Sequence, residues 1–148
     1  VAPHLFKGEQ IYFEIYGYDR VKQIQTGYPY DCRVGEYKAM LYRVTITTPD
    51  GHLFDLNRNQ VYCRAEELGL EKPFFIATEF GREQAIIGAQ DEVQGRSHLD
   101  AGTLLEGVVV WFETDKGHWS CLKIKSEEFL VAESKQRDKG IGDVEDEL

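Results

Sequence analysis

Leu105-Glu106-Gly107-Val108-Val109-Val110 and, a short way downstream, Leu122-Lys123-Ile124-Lys125 are the stretches on which the reading of this chain turns. Residues 104–113 are its most β-like run, dense in β-branched and aromatic side chains. Asp115-Lys116-Gly117 supplies a turn, and residues 119–125 pair back as the second arm of a hairpin. The first arm reads as buried on both faces, with Glu106 at its opening. Alternate side chains of a strand share a face. Lys123 and Lys125 therefore point the same way, with Leu122 and Ile124 toward the core. The hairpin can bring Glu106 near both lysines.

Working outward, residues 11–18 and 39–48 are strands by the same composition. A polar stretch with turn signals at Gly27 and Pro29 separates them. Pro49-Asp50-Gly51 turns the second strand back into residues 52–56, since proline presets φ and glycine accepts a positive φ. A short helix follows. Asn57 or Asn59 can cap it, Val61, Ala65 and Leu68 share one face, and Gly69 ends it. Residues 74–78 suggest a short buried strand. Residues 82–93 suggest a helix that Gly88 interrupts. Ser126 caps a last helix, with Glu127 and Glu128 at its positive end, that fades near Gly140. The fold class is α+β, mostly antiparallel strands with peripheral helices.

At 148 residues the chain suffices for one domain. No apolar run is long enough to span a bilayer, and the first residues lack the pattern of a signal peptide. The net charge of −9 excludes a surface coated in phosphate-binding residues, though not a narrow basic groove. Residues 141–148 gather part of that charge as an acidic tail. Three cysteines, Cys32, Cys63 and Cys121, with no CxxC, speak against a disulfide framework or a zinc site. Reduced, mostly buried thiols in a cytoplasmic protein are the expectation. His4, His52, His98 and His118 have no metal-ligand spacing. Arg20, Lys22, Arg33 and Lys38 read by default as solvated charge, with a binding edge as the alternative.

Three patches carry possible chemistry, and each also has a plainer reading. Glu106 is either a metal-binding carboxylate at a rigid strand end or a solvated glutamate beside a turn glycine. Lys123 and Lys125 are either cations aimed at phosphate or edge-strand lysines that guard against aggregation. Glu14, in Ile11-Tyr12-Phe13-Glu14-Ile15-Tyr16-Gly17, is costly in an apolar strand unless it is paired, used or on an exposed face. Together, a carboxylate for Mg2+ and two cations for phosphate are what nucleotidyl transfer requires.

In that order and spacing the segment from Glu106 through Lys125 into Ser126-Glu127-Glu128-Phe129 resembles motifs IV and V of the covalent nucleotidyltransferase superfamily. Within it the chain looks most like phage-type ATP-dependent RNA ligases. Residues 11–17 resemble motif III, and Met40-Leu41-Tyr42-Arg43-Val44 is placed like motif IIIa. The resemblance implies an ATP-grasp-like ligase domain over residues 1–140, truncated at its N-terminus. It implies ATP and Mg2+ as cofactors and RNA ends as substrate. Glu14 would touch the adenosine ribose, Gly17 would belong to the same nucleotide-binding set, and Tyr42 would stack on adenine or else be an ordinary strand aromatic. Glu106 would hold the metal, and Lys123 and Lys125 would contact phosphates. A lysine in a Lys-x-Asp/His-Gly motif forms lysyl-AMP in such enzymes, and the adenylate then passes to an RNA 5′-phosphate.

The chain departs from the family pattern at two points. Trp111 stands where motif IV usually ends in lysine or arginine, and no Lys-x-Asp-Gly or Lys-x-His-Gly occurs anywhere. The expectation is that motif I lies on a segment before Val1. The alternatives are a nucleotide- or RNA-binding module on a decayed ligase fold, and a piece of a DNA ligase or mRNA capping enzyme.

Overall fold

The computed structural model describes residues 4–74, 82–93, 97, 99–100, 102–113 and 119–138. The chain forms two compact units. Val1–Ile24 with Cys32–Phe74 make the first, and Gln25–Asp31 with Phe75–Leu148 make the second. Of the buried strand expected over residues 74–78, Phe74 is exposed and in no strand, and residues 75–78 lie outside the described residues, as do the turn at residues 115–117, the tail at residues 141–148, His98 and His118.

In the first unit, β1 (Glu9–Asp19), β2 (Lys22–Gln23), β3 (Tyr37–Thr47) and β4 (Leu53–Asp55) form one antiparallel sheet in the order β2-β1-β3-β4. The turn at Pro49-Asp50-Gly51 forms as read. Gly51 takes φ 89° and donates to the Thr48 carbonyl at 2.9 Å, while the Thr48 amide donates to the His52 carbonyl at 2.8 Å. β2 had no signal in the sequence, because its tight turn places Arg20, not glycine or asparagine, at φ 58°.

Helix α1 (Arg58–Leu68) begins at Asn57, whose side chain accepts from the Gln60 amide while Gln60 reaches back to the Asn57 amide. It ends at Gly69 in the left-handed conformation. Its apolar face packs Val61 and Ala65 against Leu41 and Val44 of β3, with Ile11, Leu56, Leu68 and Leu70 around them. That cluster is the unit's core, and it leaves the other sheet face uncovered by α1.

The second unit holds α2 (Arg82–Glu92), the hairpin of β5 (Gly107–Glu113) and β6 (Trp119–Lys125), and α3 (Glu127–Asp138). Gly88 does not break α2. A mid-helix glycine costs about 1 kcal/mol against alanine, and the buried Ala85 and Val93 flank it in compensation. α2 packs against β5, with Arg82 over the Phe112 ring at 5.2 Å. Among the described residues β5 is covered on one face: Val110 is buried, whereas Val109 is 51% exposed. The continuous apolar run had suggested cover on both. Leu122, expected toward the core, is also exposed. The stretch around Gly27 and Pro29 is not simply a polar loop. Tyr28 and Tyr30 are buried, and the Tyr28 ring lies 5.5 Å from that of Phe129.

Of the cysteines only Cys32 is buried, while Cys63 and Cys121 are exposed. No described helix is long and apolar enough to cross a membrane.

Candidate functional site

The second unit carries the carboxylate and the lysines. β5 and β6 pair with Gly107 opposite Lys125 and Val109 opposite Lys123. A Cβ on Gly107 would stand 2.2 Å from the Ile124 carbonyl oxygen and 2.9 Å from the Lys125 Cα. The strands approach too closely there for any side chain, which explains the glycine after Glu106. Ser126 fixes the same end. Its amide donates to the Glu106 carbonyl at 2.9 Å, and its hydroxyl donates to the Leu105 carbonyl at 2.6 Å. The same hydroxyl accepts from the Phe129 amide at 3.1 Å, so the residue that starts α3 also locks the mouth of the hairpin.

Across that mouth the Lys123 ammonium donates to the Glu106 carboxylate. Glu106 is the more enclosed partner, with its side chain 21% exposed against 51% for Lys123. Lys125 takes a different partner. Its Nζ lies 3.3 Å from Oε1 of Glu133 and over the Phe129 ring at 5.2 Å. The cause is α3, which starts directly after β6 and brings Phe129 and Glu133 to the strand's end. Glu106 and Lys123 thus form the pair read from the sequence, while Lys125 is engaged by α3. Val109 and Trp111 lie on the same face as Lys123 by strand alternation and register, and Trp111 is exposed.

Glu14, Gly17 and Tyr42 belong to the first unit. Glu14 pairs in register with Met40, and Tyr42 lies two residues beyond Met40, so Glu14 and Tyr42 share one sheet face. Both are exposed. Water can solvate the Glu14 carboxylate there, so the strand does not carry the cost of a buried charge. It is the face opposite Leu41 and the α1 core. Tyr16, two residues past Glu14, is buried, and its phenol is pushed up to about 12, first by burial and then by the negative charges of Glu71, Cys32 and Glu14. It stays a neutral hydroxyl at working pH. Gly17 takes φ 103°, and a Cβ there would meet the Glu36 carbonyl oxygen at 2.6 Å and Cys32 at 3.0 Å. Packing alone therefore accounts for this glycine.

Two constellations in the first unit escaped the sequence reading. Arg64 donates from Nε to Glu9 Oε1 at 2.7 Å and from Nη2 to Oε2 at 2.8 Å, both side chains being buried. A charge three residues after Val61, on the apolar side of α1, was the available signal. Arg43 likewise grips Asp55 at 2.6 and 3.1 Å and lies 5.0 Å from the Tyr12 ring. Arg20, Lys22, Arg33 and Lys38, read by default as solvated charge, are all exposed, and Lys38 reaches Glu71 at 4.0 Å. Among the described residues no three His, Cys, Asp or Glu side chains are grouped to hold a metal.

No protein-family model, curated protein or solved structure matches this chain.

Proposed function

We propose that this chain is part of an ATP-dependent RNA ligase that joins RNA 5′-phosphate and 3′-hydroxyl ends through lysyl-AMP and RNA-adenylate. The supporting observation is the Glu106–Lys123 pair at the locked mouth of the β5–β6 hairpin, with Lys125 two residues along the same strand. Lysine offers a compact ammonium that suits phosphate. Glu106 offers hard oxygen ligands. Mg2+ typically takes one or two carboxylates and fills its remaining positions with water and substrate phosphate. A lone carboxylate beside a phosphate subsite fits that habit better than an all-protein cage. The ion would supply charge neutralisation on the phosphates. Lys123 and Lys125 would orient them; in the first unit, taken by itself, Glu14 would suit a ribose and Tyr42 an adenine.

A specific observation favours one competing reading. The 148 residues contain no Lys-x-Asp-Gly or Lys-x-His-Gly, as a nucleotide- or RNA-binding module without catalysis would allow. One experiment separates the two. The chain, alone and extended through any in-frame codons that precede Val1, is incubated with labelled ATP, Mg2+ and 5′-phosphorylated RNA. A ligase gives a labelled protein adduct and sealed RNA from the extended form. Alanine at Glu106 or Lys123 then lowers single-turnover adenylation by about 10²–10³, and Lys123→Arg does not restore it. ATP binding with no adduct from either form favours the binding module. Near-normal rates in folded Lys123→Ala and Lys125→Ala proteins reduce the strand to a solvated edge and refute the ligase reading. An oligonucleotide-binding fold after Leu148 would instead mark a DNA ligase or capping enzyme.

A further inference from the structure

The pairing of β1 with β3 is not continuous. Tyr12 is opposite Arg43 and Phe13 is opposite Leu41, so Tyr42 is an extra residue with no partner across the ladder. This is a β-bulge, a device that re-aims a side chain and sharpens the local twist. Tyr42 is 46% exposed on the face it shares with Glu14. Burial of Leu41 and Val44 on either side already specifies the strand's register, and the residue adjacent to the bulge is held in addition from two directions. Arg43 makes a bidentate contact to Asp55, Nε to Oδ1 at 2.6 Å and Nη2 to Oδ2 at 3.1 Å. Its guanidinium also covers the Tyr12 ring at 5.0 Å.

Asp55 is itself fixed. It pairs in register with Thr45, the next residue's amide donates to the Val44 carbonyl at 3.0 Å, and the Asn57 cap of α1 follows directly. The three-residue strand β4 has one evident consequence, which is to deliver this carboxylate to Arg43. The guanidinium links β4 to β1 across the bulge, so the extra residue of β3 cannot move along the strand without breaking a fork-to-fork ion pair.

Resting on the proposed role of Tyr42 as the adenine platform, we infer that Arg43, Asp55 and Tyr12 are positioning residues. They lock the β-bulge so that the Tyr42 ring is presented, preorganised, to the base of a nucleotide. Arg43 touches no nucleotide in this scheme and acts only through Tyr42. Preorganisation raises affinity by removing the cost of ordering on binding.

The test is Mg-ATP titration of the 148-residue chain by calorimetry, with thermal melts and backbone amide NMR on each variant. Tyr42→Ala should raise Kd roughly 10-fold or more, as loss of base–aromatic stacking does, and Tyr42→Phe should leave it near wild type. Arg43→Met should raise Kd roughly 3- to 10-fold with amide shifts at residues 41–43. Adding Arg43→Met to Tyr42→Ala should cost nothing more, since the arginine acts through the ring. Asp55→Asn should reproduce Arg43→Met, and it tests the same point should Arg43→Met not fold. The charge swap Arg43→Asp with Asp55→Arg should recover part of the affinity. If Tyr42→Ala weakens ATP while Arg43→Met and Asp55→Asn do not, the lock is refuted and the platform stands. If Tyr42→Ala has no effect, or the wild-type chain binds no ATP, the platform falls and the lock falls with it.

Discussion

Arg64→Ala should be among the most damaging single substitutions in the first unit, and its cost follows from what it strands. The guanidinium donates to both oxygens of Glu9 at 2.7 and 2.8 Å, to the His4 carbonyl at 2.6 Å and to Glu67 at 2.7 Å. It also covers the Phe6 ring at 4.5 Å. Alanine removes all of these, and the Glu9 carboxylate, with its side chain 1% exposed, keeps the Phe6 amide at 2.9 Å. Breaking one side of a buried ion pair costs about 3–5 kcal/mol, a large share of the roughly 5–15 kcal/mol that holds a domain folded. Glu67 is 60% exposed, so Glu67→Ala should cost under about 1 kcal/mol. The double variant Glu9→Leu with Arg64→Met removes both charges together and should lie within roughly 1–2 kcal/mol of wild type. Urea unfolding of the four proteins, followed by circular dichroism, measures each value. A cost below about 1 kcal/mol for Arg64→Ala, on the scale of an exposed pair, would refute the argument.

The pH dependence carries the same sign. The Arg64 hydrogen bonds hold the Glu9 carboxyl below its usual 4.5, against the opposing effect of burial. The unfolded chain therefore binds that proton first as pH falls. Stability from this pair is complete above the unfolded value and drains away below about pH 4.5, through the lower folded value. Arg64→Met should flatten that acid limb.

Three further outcomes are expected. Gly107→Ala should disrupt the β5–β6 hairpin, because its Cβ would meet the Ile124 carbonyl oxygen at 2.2 Å; amide exchange of residues 107–110 and 122–125 should accelerate while that of α1 stays unchanged. Asn57→Ala should cost about 1 kcal/mol in urea unfolding, the usual value of a lost N-cap, with Asn57→Asp close to neutral. The 148-residue chain alone should form no covalent AMP adduct, since it lacks the nucleophile motif; a labelled band that survives denaturing gel electrophoresis and hydroxylamine would overturn that.

Elements with local causes were legible in the sequence. The Asn57 cap and Gly69 stop bracket α1, Pro49-Asp50-Gly51 makes its turn, and Ser126 starts α3, because each rests on a backbone hydrogen bond within a few residues. What pairs with what was harder. Lys125 and Lys123 are equivalent by alternation, and only the return of α3 gives Lys125 to Glu133. The bulge at Tyr42 has no glycine or proline to announce it, and the ion pair beside it joins Arg43 to Asp55 twelve residues away. Glu9 and Arg64 lie fifty-five apart, and neither marks the other in the sequence. The exposed face of β5 was misread for a related reason. Val108-Val109-Val110 reads alike whether one face is covered or two, and the difference lies in where α2 packs.

The partners of the two lysines bear on how a phosphate could be received. An ion pair as exposed as Glu106–Lys123 or Lys125–Glu133 is worth roughly 0–1 kcal/mol, so little opposes exchange of one anionic partner for another. A phosphate brings more charge and more acceptor oxygens than a carboxylate. Under the proposed ligase reading, Lys123 would turn to it and free Glu106 for a cation in the same movement. Arg64–Glu9 is the opposite case. It is buried, bidentate and tied to further acceptors, so neither partner can leave without stranding the other. In the first unit the buried Arg64–Glu9 pair acts as a strut, whereas Glu106–Lys123 and Lys125–Glu133 are exposed enough to open at little cost.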